Sequence, residues 1–353
     1  MIFELNYEKE KEKEPEDMHN FIKLLTEAKD TIDINPKKWN NIKKIIHEYE
    51  YVYTSSNMKY NVSSIVPISR SYFKLTEIIN HHKIFNISTQ INCLSLAEAP
   101  GGFIQSLLNY KSQINKIYAT SLLSEDKSVP YWNRKIINHK LIEFVYGTTN
   151  NGDLQDINNL LSLIGLLKNK KIYLITADGG FDYTNDYNKQ ERMSLSLIYG
   201  EIFMALNVQE KGGIFICKVF DLFLKETIKL IYILTLSYDK VVIHKPFTSR
   251  LSNSEKYLIC KGFKGYNKEI INILFRSFKD YNIDQKIDIN YEKNLMDFNR
   301  EYMNQQIKQI NMGVKLVEEY STMVGPSLNQ IRSSISWCNS NSVPINNSCC
   351  FLK

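Results

Sequence analysis

Between about residue 70 and residue 265, short apolar runs alternate with longer segments. In the longer segments the apolar residues recur every three or four positions. The longer segments are typical of amphipathic helices and the short runs of buried strands. The predicted strands are 92–97, 116–120, 142–146, 171–177, 212–220, 240–244 and 256–263. Predicted helices cover 70–82, 103–110, 153–168, 189–209 and 221–236. This alternation predicts right-handed crossovers and a mainly parallel sheet.

The last two predicted strands are joined by "KPFTSRLSNSE", which is too short to hold a crossover helix. We therefore expect an antiparallel strand at one end of the sheet. The predicted fold is α/β: an open, mostly parallel, seven-stranded sheet with helices on both faces.

Two flanks lie outside this pattern. Residues 1–60 contain a Glu/Lys run at 7–16, which we expect to be solvated, and predicted helices at 17–30 and 37–50. Residues 266–353 contain predicted helices at 267–278 and 293–320, then a tail rich in Ser and Asn. The predicted organisation is a helical extension over 1–60, a central domain over 61–265, and a helical extension over 266–353 with a loosely ordered tail.

Composition narrows the class of protein only slightly. The 353 residues carry a formal net charge of +6, which permits a polyanionic partner without demanding one. Neither a signal-peptide core nor an apolar run long enough to cross a membrane is visible. Three of the six cysteines lie in apolar runs and no pair has zinc spacing, which favours a reducing compartment, cytoplasmic or nuclear. The richness in Asn, Ile, Lys and Tyr is typical of an AT-rich genome, as in some viruses and protists.

Open α/β sheets bind ligands beyond the carboxyl ends of their strands. The first predicted strand ends in "LAEAPGGF" (96–103), where Gly101 and Gly102 allow the backbone to approach a ligand and a helix follows. The loop is not GxGxxG, and no GKS or GKT follows a glycine-rich turn. An ordinary strand-to-helix turn remains the alternative.

Charged residues follow or precede other strands. Asp178 ends the fourth predicted strand in "ITADGGFDY" and Lys218 ends the fifth, while Glu255 precedes the last and Lys74 lies on the helix before the first. Because a buried lysine without a partner is costly, Lys218 needs an anion, and Asp178 is the natural candidate. Asp182 has no predicted role beyond that of a loop or capping residue.

Five segments together resemble the FtsJ/RrmJ-like ribose 2′-O-methyltransferases. They are "SRSYFKLTEI" (69–78), "LAEAPGGF", "TADGGFDY", "GGIFICKVFD" and "KPFTSRLSNSEKYLICKGF". The "ADGGFDY" form resembles the mRNA cap methyltransferase branch. The resemblance covers about residues 69–265 and implies a Rossmann-like fold that binds S-adenosylmethionine.

The resemblance implies a catalytic set of Lys74, Asp178, Lys218 and Glu255. Lys218 would be the base on a ribose 2′-hydroxyl, oriented by Asp178, and Glu255 would balance the second ammonium group and help to hold the ribose. Lysine has an ordinary pKa of about 10.4, so a base near neutral pH needs that pKa lowered by roughly two or three. This chemistry requires alignment and no metal.

The cofactor residues that the resemblance implies are Ala97, Pro100, Gly101, Gly102, Phe103, Thr120, Ser121, Asp153 and Asp178. Ser95 stands where the family often has Asp, and the second strand ends in hydroxyls instead of an acid, which leaves the ribose contacts open. The implied substrate is RNA, most of all the capped 5′ end of mRNA, with the capping or transcription machinery as candidate partner. Residues expected near RNA are Arg70, Tyr131, Trp132, Arg134, Lys245 and Arg250.

We expect a cap-specific RNA 2′-O-methyltransferase. The first alternative is the same chemistry on ribosomal or transfer RNA. The second is a non-catalytic subunit that binds RNA or a partner on this fold. A nicotinamide dehydrogenase is more remote, because the GxGxxG loop is missing.

Overall fold

One open sheet organises the molecule. The computed structural model describes residues 1–5, 18–33, 36–181, 186–319 and 325–353. In these ranges the strands are β1 (Ile2–Glu4), β2 (Ile91–Leu96), β3 (Ile114–Ala119), β4 (Ile142–Phe144), β5 (Ile172–Ala177), β6 (Gln209–Val219), β7 (Tyr238–His244) and β8 (Lys256–Phe263). Their order across the sheet is β1-β7-β8-β6-β5-β2-β3-β4. The predicted fold class is confirmed.

The sheet differs from the prediction at one edge. Strands β4, β3, β2, β5 and β6 are parallel, whereas β8 lies antiparallel between β6 and β7. The antiparallel strand is therefore inside the sheet and not at its end. Residues 2–4, from the flank expected to be helical, add β1 antiparallel to β7 as an eighth strand in the described part of the chain.

Helices cover both faces of the sheet. They are α1 (Met18–Asp33), α2 (Pro36–Ile45), α3 (Ser71–His82), α4 (Gly102–Leu107), α5 (Arg134–Ile137), α6 (Ile157–Leu167), α7 (Gln190–Val208), α8 (Lys225–Ser237), α9 (Lys268–Arg276), α10 (Ile289–Glu319) and α11 (Leu328–Ser340). Helices α6, α7, α8, α9 and α10 pack on one face of the sheet and form one apolar core with it. Helices α3, α4 and α5 form a second apolar core with the other face. Successive strand residues alternate between the two cores, so both faces are buried.

The flanks pack against each other and on the central domain. Trp39 and Ile42 of α2 bury against Ile310 of α10, together with residues of α1. Residues 51–62 and the start of α3 share a third cluster with α11, in which Trp337 and Cys338 are buried. The prediction of a loosely ordered tail is therefore wrong for 328–340, which form α11, and for 350–352, which form a short 3-10 helix. A capping box between Ser327 and Gln330 begins α11.

Candidate active site

A cleft of about 600 Å³ opens at the carboxyl edge of the parallel strands. That volume lies within the range of small-molecule sites. Its walls come from the ends of β2, β3, β5 and β6, from the segment after β4 and from the loop before β8. The lining residues are Ala97, Ala99, Ser121, Leu122, Ser128, Val129, Pro130, Gly152, Asp153, Leu154, Gln155, Asp178, Gly180, Phe181, Gln190, Leu197, Lys218, Phe220, Asn253 and Glu255.

Lys218 and Asp178 form one ion pair in this cleft. The register of β5 on β6 pairs Ala177 with Cys217, so the next residue of each strand lies at the same edge. The Lys218 Nζ lies 3.3 Å from Asp178 Oδ1 and donates to the Asp178 carbonyl oxygen at 2.8 Å. Tyr257, paired with Lys218 across β6 and β8, donates its hydroxyl to Asp178 Oδ1 at 2.9 Å. The carboxylate is thereby held between a cation and a phenol.

Lys74 and Glu255 form a second ion pair. Lys74 projects from α3, and its Nζ lies 2.7 Å from Glu255 Oε1. Ser249 donates its hydroxyl to the same oxygen at 2.9 Å, and Lys245 donates to the Glu255 carbonyl oxygen. Burial alone would raise the pKa of Glu255, but the ammonium groups of Lys74, Lys218 and Lys245 outweigh burial and lower that pKa to about 2. Glu255 is therefore a carboxylate at every working pH.

The predicted cofactor loop has a packing role as well as a lining role. Gly101 has a φ of +109°, and a Cβ there would lie 2.2 Å from Ile136 Cδ1, so only glycine fits. A Cβ at Gly102 would meet the hydroxyls of Ser69 and Ser71. Phe103 is fully buried in the core of the α3 face and does not line the cleft. Among the residues implied at this loop, Ala97 lines the cleft, whereas Pro100, Gly101, Gly102 and Phe103 do not belong to its lining.

The remaining cofactor residues fit a ligand with hydroxyl and amino groups. Ser121 and Asp153 line the cleft. Thr120 is fully buried beside them, and its Oγ1 has no hydrogen-bond partner in the described part of the chain. A buried polar atom of this kind is normally satisfied, so a ligand or a water is expected to reach it. Ser95 points away: it is buried and accepts a hydrogen bond from Thr176.

The residues expected near RNA separate into exposed and buried groups. Tyr131 is 61% exposed, and Arg134 is exposed as well. Trp132 is buried against Phe144, so its indole packs on the domain and does not face solvent as a contact with RNA would require. Lys245 is also buried, and its ammonium group donates to two backbone carbonyls instead of facing solvent.

Arg70 and Arg250 are engaged in one buried ion cluster. Both guanidinium groups contact Glu50, whose side chain is fully buried, at 3.3 Å and 2.9 Å. The two arginines are far apart in the chain but meet at Glu50. The side chain of Arg70 is 30% exposed and that of Arg250 is 22% exposed. Their first role is therefore to hold Glu50, and any contact with RNA is additional.

Two buried carboxyl groups below the site were not predicted. Glu98 accepts a hydrogen bond from the Phe103 amide at 2.6 Å, and burial, followed by the Asp178 carboxylate, raises its pKa well above the ordinary value. Glu201 of α7 lies against Gly179, and burial raises its pKa to about 8 although the Lys218 ammonium opposes this. Glu98 stands within the "LAEAPGGF" segment, but the helical pattern around Glu201 contains no signal that its acid faces the sheet.

The fold and the site define a class: a Rossmann-like methyltransferase with a Lys–Asp–Lys–Glu set at the carboxyl edge of its sheet. The FtsJ-like methyltransferase family model matches residues 67–263, and the chain belongs to this family. The predicted resemblance is thereby confirmed. S-adenosylmethionine is the methyl donor of the family, as predicted.

The curated relatives carry cap-specific names. The chain is 34% identical over 205 residues to cap-specific mRNA (nucleoside-2′-O-)-methyltransferase 1A of Caenorhabditis briggsae, covering 56% of this chain and 22% of the relative. It is 35% identical over 189 residues to cap-specific mRNA (nucleoside-2′-O-)-methyltransferase 2 of Mus musculus, covering 50% and 24%. A third relative, 34% identical over 170 residues, is the inactive methyltransferase 1B of Caenorhabditis briggsae, covering 47% and 20%. The chain thus spans less than a quarter of the length of these relatives.

Proposed function

We propose that the chain is an S-adenosylmethionine-dependent RNA ribose 2′-O-methyltransferase that acts on the capped 5′ end of mRNA. The observation that carries the proposal is the placement of Lys218, paired with Asp178, beside Glu255, paired with Lys74, in a cleft that reaches the strand ends. Transfer to a hydroxyl is aided by a base and by groups that hold the base and the acceptor in line.

The roles follow from the contacts. To act as the base, Lys218 Nζ would first release the proton that it carries in the ion pair and then accept the proton of the ribose 2′-hydroxyl. Asp178 fixes the direction of that nitrogen through its carbonyl and its carboxylate. Glu255 and Lys74 form an ion pair with each other, and we assign both residues to holding the acceptor ribose. S-adenosylmethionine, when bound, would supply the methyl group on a sulfonium centre. With its proton taken up by Lys218, the ribose 2′-oxygen would be the acceptor of that methyl group.

Residues that would hold the methyl donor line the same cleft as Glu255 but come from the segments after β2, β3 and β4. Ala97, Ser121 and Asp153 line this part, with Val129 and Pro130 offering an apolar surface. The partnerless Thr120 hydroxyl gives this part of the cleft a further polar group.

The names of the relatives favour capped mRNA over ribosomal or transfer RNA as the substrate. Two relatives named as cap-specific mRNA methyltransferases match at 34% and 35% identity. The capping or transcription machinery remains the proposed partner. Because one relative is named as inactive, a non-catalytic RNA-binding subunit is the alternative that the experiment has to separate.

A reducing compartment, cytoplasmic or nuclear, is the proposed location. All six cysteines carry free thiols, five of them buried, so the fold does not depend on disulfides. Separately, the described residues include no helix with the length and apolarity needed to span a membrane.

Methyl transfer from labelled S-adenosylmethionine to matched capped and uncapped RNA tests the proposal. We expect transfer to capped RNA and loss of at least about a hundredfold in Lys218→Ala, since general-base catalysis contributes on that scale. Lys218→Arg keeps the charge but cannot act as a base, so it should be equally inactive. Retained binding of S-adenosylhomocysteine shows that the variants are folded. Near-normal transfer by Lys218→Ala would refute the mechanism, and RNA binding without transfer by the unaltered protein would favour the non-catalytic alternative.

A further inference from the structure

A second pocket, of about 100 Å³, opens beside the cleft. Gln190 and Asn253 line both cavities, so the two adjoin. Its other walls come mainly from α1, α2 and α10, which lie outside the residues that the family model matches. A single water needs about 10–15 Å³ on this scale, so the pocket has room for a group the size of a phosphate.

Three cations converge on this pocket. Lys29, Lys43 and Arg250 line it. Lys29 is 4% exposed and pairs with Asp221 at 2.7 Å, while Arg250 pairs with Glu50 at 2.9 Å. The Lys43 ammonium donates to the neutral Asn40 Oδ1 at 2.6 Å, and burial, followed by the Arg250 guanidinium, lowers the pKa of Lys43.

The carboxylates at the pocket are shared with further cations. Glu50 also serves Arg70 at 3.3 Å, and Asp221 also faces the buried Lys256. A third acid, Glu191, accepts hydrogen bonds from the backbone amides of residues 223 and 224 and also acts on Lys256. Positive groups therefore outnumber the carboxylates available to them, and an anion in the pocket would balance the excess.

Neutral groups favour a nucleotide over a bare anion. Gln306 lines the pocket and donates to the Ser252 carbonyl and the Ser254 hydroxyl at 3.3 Å each. Its Oε1 is buried without a hydrogen-bond partner in the described part of the chain. The hydroxyl or amino group of a nucleotide, next to its phosphate, would supply the missing donor.

We propose that this pocket binds a phosphate group of the RNA strand near the acceptor ribose. The flanks and the loop before β8 build the pocket. This inference rests on the proposed function, because it takes RNA as the substrate. A phosphodiester of the strand and the phosphate bridge of a cap share the chemistry that the pocket recognises.

Lys43→Gln is the test variant, because Lys43 is only half-buried and belongs to no buried ion pair. Lys37→Gln is the matched control: it makes the same change on an exposed face of the same helix. The affinity of each protein for a short RNA is measured by fluorescence anisotropy over a range of KCl concentrations. One probe carries a 5′ cap and the other a 5′-hydroxyl. Lys43→Arg serves as the variant that retains the charge.

We expect Lys43→Gln to weaken RNA binding about tenfold, the scale of one charge-assisted hydrogen bond. Its plot of log affinity against log salt should lose about 0.7 in slope, as for one phosphate contact on a single strand. Lys43→Arg and Lys37→Gln should retain both properties. A loss with both probes assigns the strand phosphate, and a loss with the capped probe alone assigns the cap bridge.

The inference is overturned if Lys43→Gln and Lys37→Gln bind RNA with the same affinity and the same salt slope. That outcome leaves the proposed methyl transfer standing, because transfer is measured separately. Conversely, a protein that shows the Lys43 effect but transfers no methyl group refutes the proposed function and leaves the phosphate pocket standing.

Discussion

At the scale of single residues, the site depends on charges whose partners come from different strands and helices. Lys218 and Asp178 are brought together by the register of β5 on β6, while Lys74 and Glu255 meet across α3 and the loop before β8. All four side chains are largely buried, so each ion pair needs its partner to offset the loss of hydration. The chemistry and the stability of the site therefore rest on the same contacts.

Glu201 gives a prediction about pH and stability. Its pKa is raised to about 8 in the folded protein by burial, against an unfolded value near 4.3. Between these values the unfolded chain has released a proton that the folded chain retains, so the free energy of unfolding falls as pH rises. The Glu201→Gln side chain cannot ionise, so this fall in the free energy of unfolding should disappear. Between pH 5 and 7.5 the variant should therefore gain stability relative to the unaltered protein, by up to about 1.4 kcal/mol per pH unit.

Urea unfolding of Glu201→Gln and of the unaltered protein at several pH values measures this difference. Glu210→Gln is the control, because Glu210 is exposed at the start of β6. A stability difference that does not change with pH would show that Glu201 is ionised in the folded protein and that the buried carboxyl is not as described.

At the scale of elements, the flanks reach into the base of the site. Lys29 of α1 contacts Asp221, which follows β6, with both side chains 5% exposed. Tyr302 of α10 donates its hydroxyl to the Asn253 carbonyl at 2.7 Å, and its ring lies 4.0 Å from the Lys256 ammonium. The loop that carries Glu255 is thus held by helices from both ends of the chain.

Lys29→Met tests this coupling. Removing the ammonium group leaves Asp221 buried without its closest partner, and breaking a buried pair in this way costs about 3–5 kcal/mol. Lys23→Met on the same helix removes an exposed pair with Glu27, at 3.9 Å, and should cost less than about 1 kcal/mol. Chemical denaturation measures both. Equal, small losses would mean that α1 does not support the site.

The sequence was most informative where the structure is local. The periodicity predicted the seven strands of the central domain to within a few residues, and the helices between them except for the short α5. The strand ends indicated Asp178, Lys218 and Glu255, whereas Lys74 lies on the helix before the first of these strands. The pairing of Lys29 with Asp221 spans 192 residues of chain, so no local pattern carries it. The edge strand β1 has three residues, too few to show an alternation.

The tail was misjudged for a different reason. Its Ser and Asn content is typical of loops, yet α11 buries Trp337, whose indole donates to Glu77 Oε2 at 2.8 Å. Tertiary contacts with α3 therefore override composition here. The buried Trp132 and Lys245 show the same limit, because residue type alone does not reveal which side of a loop faces solvent. Asp182, which we expected to be a loop or capping residue, lies outside the described residues.

At the scale of the whole molecule, a family domain and two flanks form one continuous site region. The central domain supplies the cleft and the two ion pairs, and the flanks supply α1, α2 and α10 around the adjoining pocket. We therefore expect the flanks to influence how RNA is bound, and the domain to carry the transfer itself.

Mass mapping of the methylated nucleotide tests the central claim most directly. A capped RNA oligonucleotide is incubated with the protein and S-adenosylmethionine, digested with nucleases and compared with a reaction that contains Lys218→Ala. We predict one added methyl group on the ribose 2′-oxygen of the first or second transcribed nucleotide, absent with the variant. A methyl group on a base, or no methyl group from the unaltered protein, would contradict this prediction.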